Sequence, residues 1–236
     1  MTGADRDPEG VVRVRAANPS PMTLDGTNIY VVGGWVVDPG PADSEHLDAV
    51  LAAAAGRVDG IVLTHGHFDH AEGADPLAQR TGAPVIRPGE GEEPGPFRAL
   101  ATPGHAPDHV CLLMGRICFT GDTVLGAGSV FIAPGEGSLS AYLDSLRRLR
   151  ELDLDVLCPG HGPYVWKPHA KLDEYIDHRL DRERRLVEAL DEGSRTTAST
   201  ASDACSRRST PGCEPRTSSS TAPGPMRRPT CAPRPR

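Results

Sequence analysis

A chain of 236 residues with 38% apolar content can form one α/β domain with a full core, and no stretch approaches the roughly 18 apolar residues of a membrane span. Its net charge of −7 is uneven: residues 194–236 carry eight Arg against Asp203 and Glu214, which leaves the first 193 residues at −13. That acidity counts against broad, sequence-blind binding of polyanions, and the N-terminus lacks the basic start and apolar stretch of a secretory signal, so the cytoplasm is the expected compartment.

Val11-Val12-Arg13-Val14 alternates weakly and predicts an edge strand. Asn18-Pro19-Ser20-Pro21 is a loop, because two prolines exclude helix there. Ile29–Val32 and Trp35–Asp38 flank Gly33-Gly34 and predict a hairpin. Asp43 or Ser44 caps a helix with Leu47, Val50 and Leu51 on one face. Ile61–Thr64 is a buried strand. Ala71–Arg80 reads as a short helix ending at Gly82, followed by a brief strand over Ala83–Ile86. Pro88–Pro96 is a loop and Phe97–Ala101 a strand. Val110–Leu113 and Ile117–Thr120 pair about Gly115. Leu139, Tyr142, Leu143, Leu146 and Leu149 trace an amphipathic helix. Val156-Leu157-Cys158 is a last buried strand, and Leu172 to Leu190 spaces a second long helix that Gly193 is expected to stop. Alternating strands and helices predict a layered α/β fold. Cys111, Cys118 and Cys158 lie in apolar runs and read as core filler, and no C-x-x-C offers a cysteine metal site.

Directly after Ile61-Val62-Leu63 comes Thr64-His65-Gly66-His67-Phe68-Asp69-His70, three histidines and a carboxylate delivered into a turn. Imidazole and carboxylate are ligands for zinc and similar dications. In extended chain, residues two apart point the same way, so His65 and His67 can meet one ion. Asp69 and His70 follow as the chain turns to helix and face a second point, a geometry that suits two ions about 3.5–4 Å apart. His105, Asp122 and His161 each end an apolar strand beside Gly or Pro, where α/β folds display ligands. The expected division is His65, His67 and His105 on one ion and Asp69, His70 and His161 on the other. Asp122 is expected to reach both, and open positions remain for a bridging water acidified to hydroxide.

These motifs resemble the metallo-β-lactamase-fold hydrolases, whose H-x-H-x-D-H signature appears at 65–70 and whose later His, bridging Asp and last His appear in T-P-G-H at 102–105, T-G-D at 120–122 and P-G-H-G at 159–162. The resemblance covers roughly residues 11–190 and implies an αββα four-layer sandwich with a dinuclear site, expected to hold two Zn2+, at one edge of two facing sheets. Asn18–Asn28, Thr102–His109, Phe119–Asp122 and Tyr175–Arg179 further resemble the β-lactamase-like protein 2 group. Its animal members are described as zinc-dependent endoribonucleases on single-stranded RNA, while its bacterial members are mostly uncharacterised hydrolases. The segment between His70 and His105 is shorter than the family pattern, which affects the flank of the site.

The domain boundary is expected at 193. Residues 194–236 contain no Leu, Ile, Val, Phe, Tyr or Trp and cannot bury a core, so disorder is expected. The preferred reading is a shifted frame near Gly193 that replaced a small helical C-terminal domain; the other is a basic low-complexity tail that contacts an anionic partner. Asp69 and His109 are the candidate catalytic residues, Asp69 as a proton acceptor and His109 as a proton donor or a hydrogen-bonding support. Asn28 and Thr27 shape the cleft floor or stabilise a turn, and His46, His169 and His178 read as partnerless surface residues. The expected activity is metal-dependent hydrolysis of a small molecule or of single-stranded RNA, first as a phosphodiesterase or endoribonuclease. The alternatives are a glyoxalase II-like thioesterase, a lactonase or lactamase, and a non-catalytic binding module. A flavodiiron-type oxidoreductase fits poorly, since that group typically has Glu where His67 stands and an attached flavin domain.

Overall fold

The structure is a computed structural model that describes residues 6–206, with side chains through Asp191. One sheet has strand order β1-β2-β3-β4-β5, built from Val12–Arg15, Asn28–Val32, Trp35–Val37, Gly60–Val62 and Val85–Ile86. The second has order β6-β7-β8-β9, built from Arg98–Ala101, Val110–Met114, Ile117–Gly121 and Val156–Pro159. Pairing is antiparallel through β1-β2-β3 and β6-β7-β8, and parallel for β3-β4, β4-β5 and β8-β9.

The apolar runs of the inner strands are continuous because those strands are covered on both faces, while β1 at the edge is partly exposed. Successive side chains alternate between two cores. Tyr30, Val32, Val37 and Val62 meet Leu112, Phe119, Val156 and Cys158 between the sheets. Ile29, Val31, Val36, Ile61 and Leu63 point outward to Leu47 and Val50 of α1 (Ser44–Ala53) and to Ala74 and Leu77 of a helix over Ala74–Thr81. Cys111, Cys118 and Leu157 point the other way, to Tyr142, Leu146 and Leu149 of a helix over Leu139–Arg150 and to Leu172 and Tyr175 beyond it. Three apolar layers thus separate four layers of structure, the expected αββα sandwich. The three thiols are buried and free, as core filler should be.

Asp43 caps α1, accepting from the His46 N–H at 2.8 Å. The helix expected over Ala71–Arg80 is instead two: α2 (Phe68–Ala71) and α3 (Ala74–Thr81). The break falls where the Gly73 N–H leaves the helical ladder for the Gly40 carbonyl at 2.7 Å. Gly82, at φ +73°, ends α3 as its position predicts. The helix Leu139–Arg150 is α4 and the last helix, α5, runs Pro168–Ser206, past Gly193. Residues through Leu186 form one compact unit and Val187 onward a second. Residues 207–236 of the basic tail lie outside the described residues. No helix among the described residues is long and apolar enough to cross a membrane.

Two of the histidines read as partnerless are not. His46 is buried, and its Nε2 lies 2.9 Å from the Pro39 carbonyl, because the Pro39-Gly40 turn closes over the start of α1. The Nε2 of His169 lies 2.9 Å from the Leu152 carbonyl. His178 is exposed.

Candidate metal centre

Four strand ends open on one edge of the sandwich: β4 into 64–70, β6 into 102–105, β8 into 122 and β9 into 160–161. Cross-links between the sheets hold that edge. Asn28 Nδ2 donates to the Pro159 and Gly162 carbonyls at 2.9 and 2.8 Å, Tyr30 Oη donates to the Pro159 carbonyl at 2.7 Å, and the Val110 N–H donates to the Thr64 carbonyl at 2.8 Å. Asn28 therefore braces the P-G-H-G loop, while Thr27 pairs with Asn18.

All seven residues expected as ligands come together here. One set of donor atoms comes from His65, His67, His105 and Asp122, and a second from Asp69, His70 and His161. His105 Nε2 lies 3.0 Å from His67 Nδ1 and 3.5 Å from Asp122 Oδ2. On the other side, Asp122 Oδ1 lies 3.4 Å from His70 Nε2 and 3.3 Å from His161 Nε2. His161 Nε2 lies 3.1 Å from Asp69 Oδ2. The two oxygens of Asp122 thus face different donor sets.

The donor set fits a metal on three grounds. Atoms bound at 2.0–2.1 Å to one tetrahedral ion stand about 3.3 Å apart, which matches these spacings. His65 Nε2 and Asp122 Oδ1 are buried without a hydrogen-bond partner, an arrangement that is costly unless something is bound. The outer ring nitrogens are also engaged so that a lone pair is left facing inward. His70 Nδ1 faces Asp38 Oδ2 at 3.0 Å, His65 Nδ1 faces Thr64 Oγ1 at 3.0 Å, His105 Nδ1 donates to the Phe131 carbonyl at 2.8 Å, and His161 Nδ1 points at the Gly26 carbonyl at 3.4 Å. His67 is turned the other way, with Nδ1 inward and Nε2 4.0 Å from Glu136. Zinc, iron and manganese all accept such a set.

Asp38 is the site residue that sequence reasoning missed. Its carboxylate is buried and accepts from the Thr64 N–H at 2.7 Å and Thr64 Oγ1 at 2.6 Å, besides facing His70. Parallel pairing of β3 with β4 sets Val37 beside Val62 and so brings the end of β3 next to the ligand loop. An Asp between an apolar strand and Pro-Gly reads locally as turn chemistry.

His109 is also buried, with both ring nitrogens engaged. Nε2 accepts from the Asp122 N–H at 3.1 Å, which places the proton on Nδ1, facing Thr102 Oγ1 at 2.9 Å and Thr123 Oγ1 at 3.1 Å. Burial lowers its pKa to about 3 and keeps it neutral. In this arrangement His109 holds the backbone of Asp122. Glycine is required beside these groups for room: a Cβ at Gly121 would stand 2.7 Å from His109 Nε2, and one at Gly160 would stand 2.5 Å from His70 Cε1.

Charge is tightly coupled across the centre. Burial alone would lower His70, yet Asp122 and Asp38 hold it well above its ordinary value; burial alone would raise Asp122, yet His70 and His161 hold it well below. For His161, burial is outweighed by the neighbouring Asp122 and Asp69 carboxylates, and its pKa rises from 6.5 to about 9. In the metal-free protein that contribution to stability is complete below pH 6.5 and is lost as pH rises through about 9. The Tm of metal-free protein should therefore fall over that window. Metal must displace the same proton, so metal affinity should rise over it, with proton release measurable by calorimetry in buffers of different ionisation enthalpy. A Tm independent of pH across the window would contradict the placement of His161 between two carboxylates.

The sequence pattern of the metallo-beta-lactamase superfamily matches residues 22–100 and 88–161. A beta-lactamase-like protein 2 homolog of Caenorhabditis elegans is 32% identical over 222 residues, covering 80% of this chain and 74% of its own. An atrochrysone carboxyl ACP thioesterase of Aspergillus fumigatus is 35% identical over 207 residues, covering 76% of this chain and 64% of its own. Among solved structures, TTHA1623 in a di-iron-bound form superposes with a TM-score of 0.56 at 29% identity, covering 66% of this chain and 94% of that one. The family match spans residues 22–161, more than half of the chain and all seven residues of the centre, so the chain belongs to the metallo-beta-lactamase superfamily, a family of hydrolases.

Proposed function

We propose that this chain is a metal-dependent hydrolase with two ions in one site, acting on acyl substrates of the thioester or ester class. The observation that carries the hydrolase reading is Asp122, whose two oxygens face separate donor sets. When bound, a pair of dications supplies water acidified toward hydroxide and a positive field for the oxyanion formed by its attack. The chain's own residues hold the ligand geometry and handle protons. Asp38, Thr64 and the Phe131 carbonyl keep the outer nitrogens of His70, His65 and His105 engaged. Asp69, the ligand carboxylate left 28% exposed, is placed to take a proton from incoming water.

The walls beside His105 and Asp122 support that substrate class. A cavity of about 140 Å³ abuts His105 and Asp122 and is lined by Pro21, Met22, Leu24, Leu125, Val130 and Phe131, with no Lys or Arg among its walls. Met22 and Phe131 are 58% and 57% exposed. Apolar walls and an acidic body suit an acyl chain better than a polyanion. The named thioesterase relative at 35% identity agrees with this. The second reading is phosphodiester cleavage of single-stranded RNA, drawn from the likeness to the beta-lactamase-like protein 2 homolog. It is kept because bound dications would add positive charge to the cleft.

Parallel assays on an acyl thioester, bis-p-nitrophenyl phosphate and a short single-stranded RNA separate the readings. Thioester turnover that a chelator abolishes and added metal restores is expected. RNA or phosphodiester turnover without thioester turnover would sink the acyl reading and leave the second standing.

A further inference from the structure

The segment from Asp122 to Phe131 forms neither helix nor strand and includes Gly126, Ala127, Gly128 and Ser129, a composition with little stiffness of its own. Yet it carries two groups the centre depends on, the Asp122 carboxylate and the Phe131 carbonyl that accepts from His105 Nδ1 at 2.8 Å. Three side chains from the helices beneath hold it. Tyr142 of α4 donates to the Thr123 carbonyl at 2.7 Å. Tyr175 of α5 accepts from the Leu125 N–H at 3.2 Å and donates to the Gly128 carbonyl at 3.0 Å. Arg179 of α5 donates to the Val130 carbonyl and stands 5.3 Å from the centre of the Tyr142 ring. Val130 and Phe131 are consecutive, so the carbonyl that takes Arg179 is one residue from the carbonyl that takes His105.

We infer that Tyr175 and Arg179 are positioning residues for one half of the metal centre, holding the Leu125–Phe131 strap so that its Phe131 carbonyl keeps the His105 proton on Nδ1 and the Nε2 lone pair turned inward. A neutral imidazole carries one N–H, and the acceptor on one nitrogen decides which nitrogen is free to ligate. With the strap released, the proton is free to occupy Nε2 and block the lone pair. The effect is larger on the His105 side, because the Nδ1 partners of His70 and His161, Asp38 and the Gly26 carbonyl, lie outside the strap, and the strap meets His161 only at its backbone, where the Gly126 N–H donates to the His161 carbonyl at 2.9 Å. The consequence for ions rests on the two-ion reading above; the consequence for the tautomer does not.

The test uses the full chain as wild type, Tyr175→Phe, Arg179→Ala and Arg179→Lys. In metal-free protein with labelled histidine, nitrogen NMR should show His105 as Nδ1–H in the wild type, an Nε2–H population in Tyr175→Phe and Arg179→Ala, and recovery in Arg179→Lys. Metal occupancy at each position, read by anomalous diffraction, should show affinity on the His65–His67–His105 side falling about 10–100-fold in Arg179→Ala, as loss of an orienting partner does, with a smaller fall on the Asp69–His70–His161 side. An unchanged His105 tautomer in both weakened variants would overturn the inference. Equal weakening of both positions with a lower Tm would overturn it too, since the residues would then support only the fold. A wild-type chain that takes up no metal would defeat the two-ion reading instead, and the tautomer measurement would still decide for or against the strap.

Discussion

Asp122→Ala is expected to lower kcat/KM by about 10³-fold or more while the chain stays folded. Loss of a partner that only orients a ligand costs about 10–100-fold, and Asp122 is proposed as a ligand of both ions. A 10³-fold loss corresponds to about 4 kcal/mol of transition-state stabilisation. Its carboxylate stands 3.3–3.5 Å from His70, His161 and His105, so removal takes one donor from each set and the anion that offsets the neighbouring imidazoles. The backbone contact with His109 is untouched, because it is made by the Asp122 N–H. Circular dichroism and kinetics on matched, metal-reconstituted samples check this. Activity within about tenfold of wild type would mean that Asp122 is no bridge, since even the loss of an orienting partner reaches that size.

The second large effect is expected at Asp38. Asp38→Ala leaves the Thr64 N–H and hydroxyl without their buried acceptor, which costs about 1–3 kcal/mol of stability, and frees the His70 ring. Asp38→Asn separates the two consequences. Asp38 has φ +50°, a left-handed backbone that Asn also tolerates, and an Asn carbonyl can still accept from the Thr64 N–H. The Asn amide group then faces His70 Nδ1 as a donor, so His70 must accept there and carry its proton on Nε2, where the lone pair is needed. Asp38→Asn should keep most of the wild-type Tm and lose metal affinity about 10–100-fold on the Asp69–His70–His161 side. Calorimetric metal titration beside a thermal melt measures both. Wild-type affinity in Asp38→Asn would show that the His70 tautomer is set elsewhere.

Much of the centre was legible in the sequence because each expected ligand lies at a local boundary, where an apolar run stops at Gly or Pro. His65, His105, Asp122 and His161 are visible in this way, and the spacing of 65–70 separates two groups of donors without reference to the rest of the chain. Asp38 was not legible, since its role comes from the parallel register that sets Val37 beside Val62. The ring orientation of His67 is likewise decided by its neighbours, His105 within reach of Nδ1 and Glu136 near Nε2. The break between α2 and α3 is tertiary as well: Gly73 donates to Gly40, and a Cβ there would come within 2.9 Å of the Gly40 carbonyl. Periodicity alone carried the helix through that point. His46 was misplaced for a related reason, because the turn that buries it precedes α1 and lies outside its helical pattern.

Two donor sets sharing Asp122 are proposed to take one ion each. Elemental analysis of the full chain, reconstituted with excess zinc or iron and freed of loosely bound metal, tests this most directly. Two ions per chain are expected. One ion per chain would contradict the shared role of Asp122, and none would contradict the site itself.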